Sequence, residues 1–235
     1  LTDRVYFHLW FLYVLTGLYL ITPILRLLVM NASRKDLVYF LALCFVVSFG
    51  LPFAEDLSRL LGHPFHIKLP IEPAQGFVGY FVLGYFIRRH VSERAVPAAR
   101  VLWIVSLLVC LFGTAWVCGR TNSFSSLFYE SMAPNIALYA AAFFILIKHA
   151  SPGLEQKIAG KGRRVITRVA KASFGVYLIH PMFIDILNHG RWGFTLRSNT
   201  FHPAFMILLV TVVLYHLSLG SVLAIQKIPL LKKTV

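Results

Sequence analysis

The chain alternates between long apolar runs and short segments that carry most of its charge. A helix that crosses a bilayer needs about 20 predominantly apolar residues. The pattern therefore predicts an all-α, polytopic membrane helix bundle with seven transmembrane helices. No linker-like or repetitive stretch interrupts the sequence, which predicts a single membrane domain over residues 1–235. The predicted helices lie at residues 8–29, 37–53, 73–88, 99–118, 132–148, 172–188 and 203–226.

The composition excludes an ordinary soluble domain. Of the 235 residues, 58% are hydrophobic and only 14% are charged, whereas soluble domains carry about 25% charged residues. The three cysteines, Cys44, Cys110 and Cys118, all fall inside apolar runs. They are too few for a disulfide framework or a zinc site, so we expect no metal.

The basic residues are concentrated in every second connecting segment. Lysine and arginine number 23 against nine acidic residues, which gives a net charge of +14. With the N-terminus outside and the C-terminus inside, 17 of the basic and three of the acidic residues face the cytoplasm. That side then carries the whole net charge, as the positive-inside rule requires. The membrane surface explains the charge, and no nucleic-acid partner is expected.

The histidines have the opposite bias. Histidine titrates near neutral pH and can act as a general base. Side chains at the membrane interface can also be histidines without a catalytic role, so their position alone leaves both interpretations open. Six of the nine lie on or near the predicted outer side: His8, His63, His66, His180, His189 and His202.

The first predicted helix begins with a polar and aromatic cluster. His8, Trp10, Tyr13 and Tyr19 lie close together in the sequence near its outer end. Tryptophan and tyrosine are typical of the aromatic belt at a membrane interface. A belt explains His8 less well, which makes it a candidate functional residue.

The sixth predicted helix carries polar side chains within an apolar segment. Ser173, Tyr177 and His180 are spaced i, i+4 and i+7 and share one face. Pro181 must interrupt the backbone hydrogen bonds there, and the charge-free stretch is too short to cross lipid unaided. These features predict the wall of a wet cavity with Asp185 at its outer end. Alternatively, His180 caps a kinked helix by bonding to a carbonyl that the proline leaves free.

The third predicted helix combines small and aromatic residues. Gly76, Gly79 and Gly84 allow close approach of a neighbouring helix, and packing alone explains them. Tyr80 lies among them and is a candidate substrate-binding residue. Glu72, just before the helix, is a candidate carboxylate partner for an outer histidine.

Three segments resemble a known family. They are HLWFLYVLTGLYLITPILR (8–26), GYFVLGYFI (79–87) and SFGVYLIHPMF (173–183). The chain resembles the acyltransferase-3 family of bacterial inner-membrane O-acyltransferases, and within it the branch that contains the enterobacterial common antigen O-acetyltransferase. The resemblance runs in order over essentially the whole chain. It implies a multi-pass protein of the bacterial inner membrane.

The resemblance also implies a ten-helix core that transfers acyl groups, commonly acetyl from acetyl-CoA, to sugar hydroxyls of cell-envelope glycans. The chain begins at Leu1 and shows seven helices. About three N-terminal helices, with the catalytic histidine of the family, are therefore expected to be missing, and the chain alone is expected to be inactive. Within the chain, we expect His8 and His180 to orient the acceptor, the acyl carrier or the base.

The remaining site residues are expected to bind the two substrates. Trp10 and Tyr177 would form the wall that faces the sugar. Arg163, Arg164 and Arg168 would contact the phosphates of acetyl-CoA, although an anchoring role at the cytoplasmic membrane surface also explains them.

Two other functions remain open. Polar and broken helices also suit a transporter or flippase of lipid-linked glycans, which would perform no chemistry. An inactive, truncated remnant is a further possibility. A retinal protein is excluded, because it needs a lysine midway along its last helix, whereas Lys227 lies at the end.

Overall fold

The computed structural model describes residues 9–67, 76–158, 160–189 and 202–227. Within these residues the chain is helical and contains no β-strand, which confirms the predicted fold class. The elements are α1 (Trp10–Asn31), α2 (Arg34–Cys44), a π-helical segment (Phe45–Gly50), α3 (Leu51–Leu60), α4 (Val78–His90), a 3-10 turn (Glu93–Ala95), α5 (Val96–Thr121), α6 (Pro134–Lys157), α7 (Lys161–Asn188) and α8 (Pro203–Ile225).

The described helices have the lengths and surfaces of a membrane protein. Six helical stretches in the described part of the chain are long and apolar enough to cross a bilayer. Large apolar side chains such as Leu20, Phe112 and Leu208 are exposed along them, as expected for helices that face lipid. α4 has 13 residues and falls short of that length, so the count of seven crossings and their orientation stay predictions.

Each predicted helix corresponds to an observed one, but several are longer than predicted. The second, expected at residues 37–53, has 27 residues, and the fifth, expected at residues 132–148, has 24. The sixth was expected from residue 172, but α7 begins at Lys161 and has 28 residues. The segment before residue 172 is helical because arginine and lysine are good helix formers. The expectation that this helix is too short to cross lipid unaided was therefore wrong.

The chain divides into two compact units. We call Phe11–Leu154 the first unit, and Leu1–Trp10 together with Glu155–Val235 the second unit. In the second unit, α7 packs along α8. The single domain expected from the sequence stays a prediction.

In the first unit, α1, α2 and α4 meet in a buried apolar cluster. Leu25, Leu37 and Val82 contribute one buried side chain from each helix. A tight turn holds α1 and α2 in this arrangement. Asp36 N donates to Ser33 Oγ (3.3 Å), and the Asp36 carboxylate accepts from Ser33 N (2.9 Å). This capping box satisfies backbone donors at the start of α2.

Close approach of α2 and α4 depends on one glycine. A Cβ at Gly79 would lie 2.9 Å from the Cβ of Cys44, whereas a Cβ at Gly76 or Gly84 would meet nothing within 4 Å. The packing interpretation is thus confirmed for Gly79 and is wrong for the other two. Gly76 instead has a positive φ of 70°, a conformation that favours glycine.

The helix that leads to the candidate site contains a π-helical segment. Pro52 has no N–H to donate to the carbonyl of Ser48, and its ring pushes that carbonyl away. In the widened segment, Leu51 N donates to Val46 O. The helix then continues as α3, so Arg34–Leu60 forms a single helical stretch. Such π-helical segments are frequent near functional sites.

Candidate functional site

The candidate site begins where the chain reverses after α3. Gly62 has a φ of +81°, which a glycine adopts without strain. His63 N then donates to Ser58 O (3.0 Å), and Phe65 N donates to Ser58 Oγ (3.3 Å). Residues 63–67 therefore run back along the helix that they have just left.

Glu55 fixes the end of this returning segment. Its side chain is buried, and both carboxylate oxygens have partners. Oε1 accepts from Ile67 N at 2.9 Å, while Oε2 lies 2.9 Å from His66 Nδ1 and 3.7 Å from Arg59 Nη2. We call the carboxylate and the imidazole the Glu55–His66 pair.

The Glu55–His66 pair has the chemistry of a general base. An ionised carboxylate only accepts hydrogen bonds, so His66 Nδ1 carries the proton and Nε2 carries the lone pair in the neutral ring. The His66 side chain is 57% exposed and accessible to a substrate. Glu55 holds the tautomer and stabilises the imidazolium that forms on proton transfer, as the carboxylate does in catalytic triads.

The loop of residues 122–133 contacts the first turn of α3 and the first turn of α4. Tyr80 Oη donates to Ser131 O (2.6 Å), and the ring of Phe128 meets that of Phe53 edge-on at 5.2 Å. Asn135 Nδ2 donates to Phe128 O (2.7 Å). The hydroxyl of Tyr80 thus ties α4 to this loop, and its role in substrate binding stays a prediction.

In the second unit, His180 serves the backbone of its own helix. His180 Nδ1 lies 2.7 Å from Tyr177 O, the carbonyl that would accept from residue 181 if that residue were not a proline. This contact confirms the alternative in which His180 bonds to a carbonyl freed by Pro181. Because a carbonyl only accepts, Nδ1 carries the proton and the neutral ring keeps its lone pair on Nε2. The rings of Tyr177 and His180 are 6.0 Å apart.

The same arrangement occurs in α6 with a different side chain. Pro152 lies inside that helix and cannot donate to the carbonyl of Lys148. Ser151 Oγ donates to Lys148 O at 3.0 Å. In both helices, the residue just before the proline satisfies the carbonyl that the proline leaves free.

Asp185 pairs with the histidine that directly follows the last residue of α7. His189 Nδ1 lies 3.0 Å from Asp185 Oδ1, one helical turn away. Both side chains are exposed. A role of Asp185 in acceptor binding stays a prediction.

The three predicted phosphate-binding arginines come together around one cavity. Arg163, Arg164 and Arg168 line a cavity of about 540 Å³ at the start of α7, and Lys171 joins them. Guanidinium groups bind phosphate with paired, directional hydrogen bonds, and the N-terminus of a helix adds a positive field. The cavity has the chemistry of an anion site.

Three predicted site residues have not been placed so far. His8 and Glu72 lie outside the described residues. Trp10 is the first residue of α1 and is half exposed. No group of three or more metal-ligating side chains comes together in the part of the chain that the structure describes.

Sequence reasoning missed the Glu55–His66 pair. His66 was one of six outer histidines, and Glu72 was the expected carboxylate partner. The two side chains that meet are 11 residues apart and are joined only because the chain reverses at Gly62. No spacing rule for helices or strands marks such a pair.

Comparison with known families agrees with this helical architecture. The Acyl_transf_3 family model, an acyltransferase domain, matches residues 1–219. The chain belongs to this family of membrane-embedded O-acyltransferases. No curated protein and no solved structure matches it. The particular branch, and the helices expected before Leu1, stay predictions.

Proposed function

We propose that the protein transfers an acetyl group from acetyl-CoA to a sugar hydroxyl of a cell-envelope polysaccharide or lipid-linked glycan, in the bacterial inner membrane. Family membership supports acyl transfer. The observation that carries the site is the Glu55–His66 pair, because it supplies an oriented and accessible base. Under the predicted orientation, this pair lies at the outer side, where such glycans are found.

The chemistry follows from the weak nucleophilicity of a sugar hydroxyl. His66 Nε2 takes the hydroxyl proton while the oxygen attacks the acyl carbon. Glu55 stabilises the resulting imidazolium. The thioester bond from the acyl carbon to the sulfur of the donor breaks, and the departing thiolate takes the proton from His66. The sugar ester is formed and the imidazole is neutral again.

We assign donor binding to the cavity at the start of α7. Its four basic side chains match the phosphates of acetyl-CoA in charge, and three of them can bind phosphate in a forked geometry. Under the predicted orientation, this cavity faces the cytoplasm, where acetyl-CoA is made.

We assign acceptor positioning to residues near the predicted outer ends of α1 and α7. His180 and Tyr177 present a ring pair with a fixed tautomer, and Trp10 is exposed at the start of α1. Polar and aromatic surfaces of this kind bind sugars through ring stacking and hydrogen bonds. The expected roles of His8, Glu72 and Asp185 in acceptor binding or orientation stay predictions.

The test is acetyl transfer by His66→Gln in inner-membrane vesicles, with radiolabelled acetyl-CoA and a cell-envelope glycan extract. Alkali-labile label in the glycan measures the product. We expect a fall of about 100-fold or more in kcat, which is typical of a lost general base. The matched control is His63→Gln, an exposed histidine on the same segment, with activity near wild type.

The outcomes separate two locations of the base. The family resemblance implies a histidine base in another segment, whereas the proposal places one at His66. If His66→Gln and His63→Gln both retain wild-type activity, the proposal for His66 is wrong. If the wild-type protein acetylates no glycan but moves lipid-linked glycan between leaflets, the transport alternative replaces acetyl transfer.

A further inference from the structure

A second cavity lies in the first unit, between the start of α5 and the end of α6. It has a volume of about 780 Å³. Apolar side chains of Val96, Ile104 and Leu146 line much of it. Under the predicted orientation, it lies at the cytoplasmic end of these helices, at the depth of the lipid headgroups.

Two of the residues that line this cavity each have a buried nitrogen atom with no hydrogen-bond partner among the described residues. The two atoms are Trp103 Nε1 and His149 Nε2. Stacking on Tyr139, with ring centroids 5.9 Å apart, holds the Trp103 ring in place. The indole Nε1 of Trp103 always carries a hydrogen, and an unsatisfied buried N–H costs about 1–3 kcal/mol. An acceptor oxygen of a ligand that reached this N–H would relieve an existing cost.

The same cavity is lined by two side chains of opposite charge. Glu93 and Arg100 both face it, and neither forms an ion pair within the described part of the chain. A cavity with both signs of charge, unpaired with each other, fits an occupant that carries both signs itself. A phosphate beside Arg100 and an ammonium beside Glu93 would satisfy the two groups together.

A third charged residue near the cavity, Lys148, forms hydrogen bonds with another helix. Lys148 Nζ donates to Ile87 O (2.8 Å) and Val91 O (2.7 Å) at the end of α4. This contact joins α6 to α4 and fixes the position of the next residue, His149. It also directs the charge of Lys148 to the carboxyl end of a helix, where a cation is stabilised.

We propose that this cavity binds a phospholipid whose headgroup contains a primary ammonium, as in phosphatidylethanolamine. Arg100, Trp103 Nε1 and His149 contact the phosphate, and Glu93 contacts the ammonium. One acyl chain lies along the apolar wall. Polar pockets between membrane helices are known to bind lipid headgroups. This site is separate from the residues assigned above to acyl transfer.

The test is lipid binding to the purified, delipidated full chain, measured by native mass spectrometry. Phosphatidylethanolamine, phosphatidylglycerol and phosphatidylcholine are added in turn. We expect phosphatidylethanolamine to bind at least 10-fold more tightly than the other two. Arg100→Gln should weaken its binding about 10-fold, and Trp103→Phe, which keeps the stacked ring, several-fold. Arg94→Gln, a neighbouring arginine that does not line the cavity, is the control and should bind as wild type.

Glu93→Gln distinguishes the ammonium contact from general lipid binding. It should abolish the preference for phosphatidylethanolamine while phosphate-dependent binding remains. Equal binding of the three lipids to the wild-type protein, or no change in Arg100→Gln, would overturn the proposal. Displacement of the lipid by free coenzyme A would also overturn it, because the phosphate would then come from a soluble nucleotide. Failure of these tests leaves the assignment of His66 untouched.

Discussion

Two histidines of this protein are held at the same ring nitrogen by different partners. In the first unit, His66 Nδ1 meets a buried carboxylate from another segment; in the second unit, His180 Nδ1 meets a carbonyl of its own helix. Both contacts fix the tautomer. Only the carboxylate carries a full negative charge, and only it strongly stabilises the charged imidazolium. The comparison separates a histidine suited to taking a proton from one suited to holding a helix.

The largest effect is expected from Glu55→Gln. The amide retains the size of the side chain but cannot stabilise an imidazolium, so kcat should fall about 100-fold or more. Acetyl transfer in membrane vesicles measures it. The control is Asp56→Asn, an exposed carboxylate next in the chain, with activity near wild type. A wild-type kcat in Glu55→Gln would show that the carboxylate does not make His66 a better base than His180.

The next effect concerns the stability of the second unit. His180→Leu leaves the Tyr177 carbonyl without its side-chain donor, which should cost about 1–3 kcal/mol. His180→Ser should cost less, because Ser151 performs the same role before Pro152. Thermal unfolding in detergent measures both variants. Equal destabilisation by serine and leucine would contradict the capping role.

Near wild-type acetyl transfer by a stable His180→Ser would show that the imidazole is not needed for the reaction.

A smaller effect is expected at the basic cavity of α7. Arg164→Gln removes one of the four cations and should raise the KM for acetyl-CoA about 3- to 10-fold, with kcat little changed. Initial rates at several donor concentrations measure the two constants. Arg120→Gln, an arginine at the end of α5, is the control. A fall in kcat at constant KM would place Arg164 in the chemical step instead of donor binding.

The smallest effect is expected at Arg59. Its guanidinium lies 3.7 Å from the Glu55 carboxylate but is 59% exposed. Exposed ion pairs contribute about 0–1 kcal/mol, so Arg59→Gln should change kcat and the unfolding temperature only slightly. The same assays measure it. A loss as large as that of Glu55→Gln would mean that Arg59, and not His66, is the important partner of the carboxylate.

Features that depend on neighbours within one helix could be predicted from the sequence, and features that need a chain reversal could not. The long apolar helices follow from the apolar runs, and the contact of His180 with Tyr177 follows from the position of Pro181. The start of α7 was misplaced because a charged segment can continue a helix beyond the apolar run. The partner of His66 was not foreseen because nothing in the spacing reveals the reversal at Gly62.

The contact between Gly113 and Phe128 limits how the loop of residues 122–133 can vary. A Cβ at Gly113 would lie 2.6 Å from the Phe128 ring, so even alanine would force the ring outward. The same loop holds Tyr80 through Ser131. A single methyl group on α5 would therefore change the spacing between this helix and the loop that is tied to α4. The distance between α5 and this loop therefore depends on a residue that has no side chain.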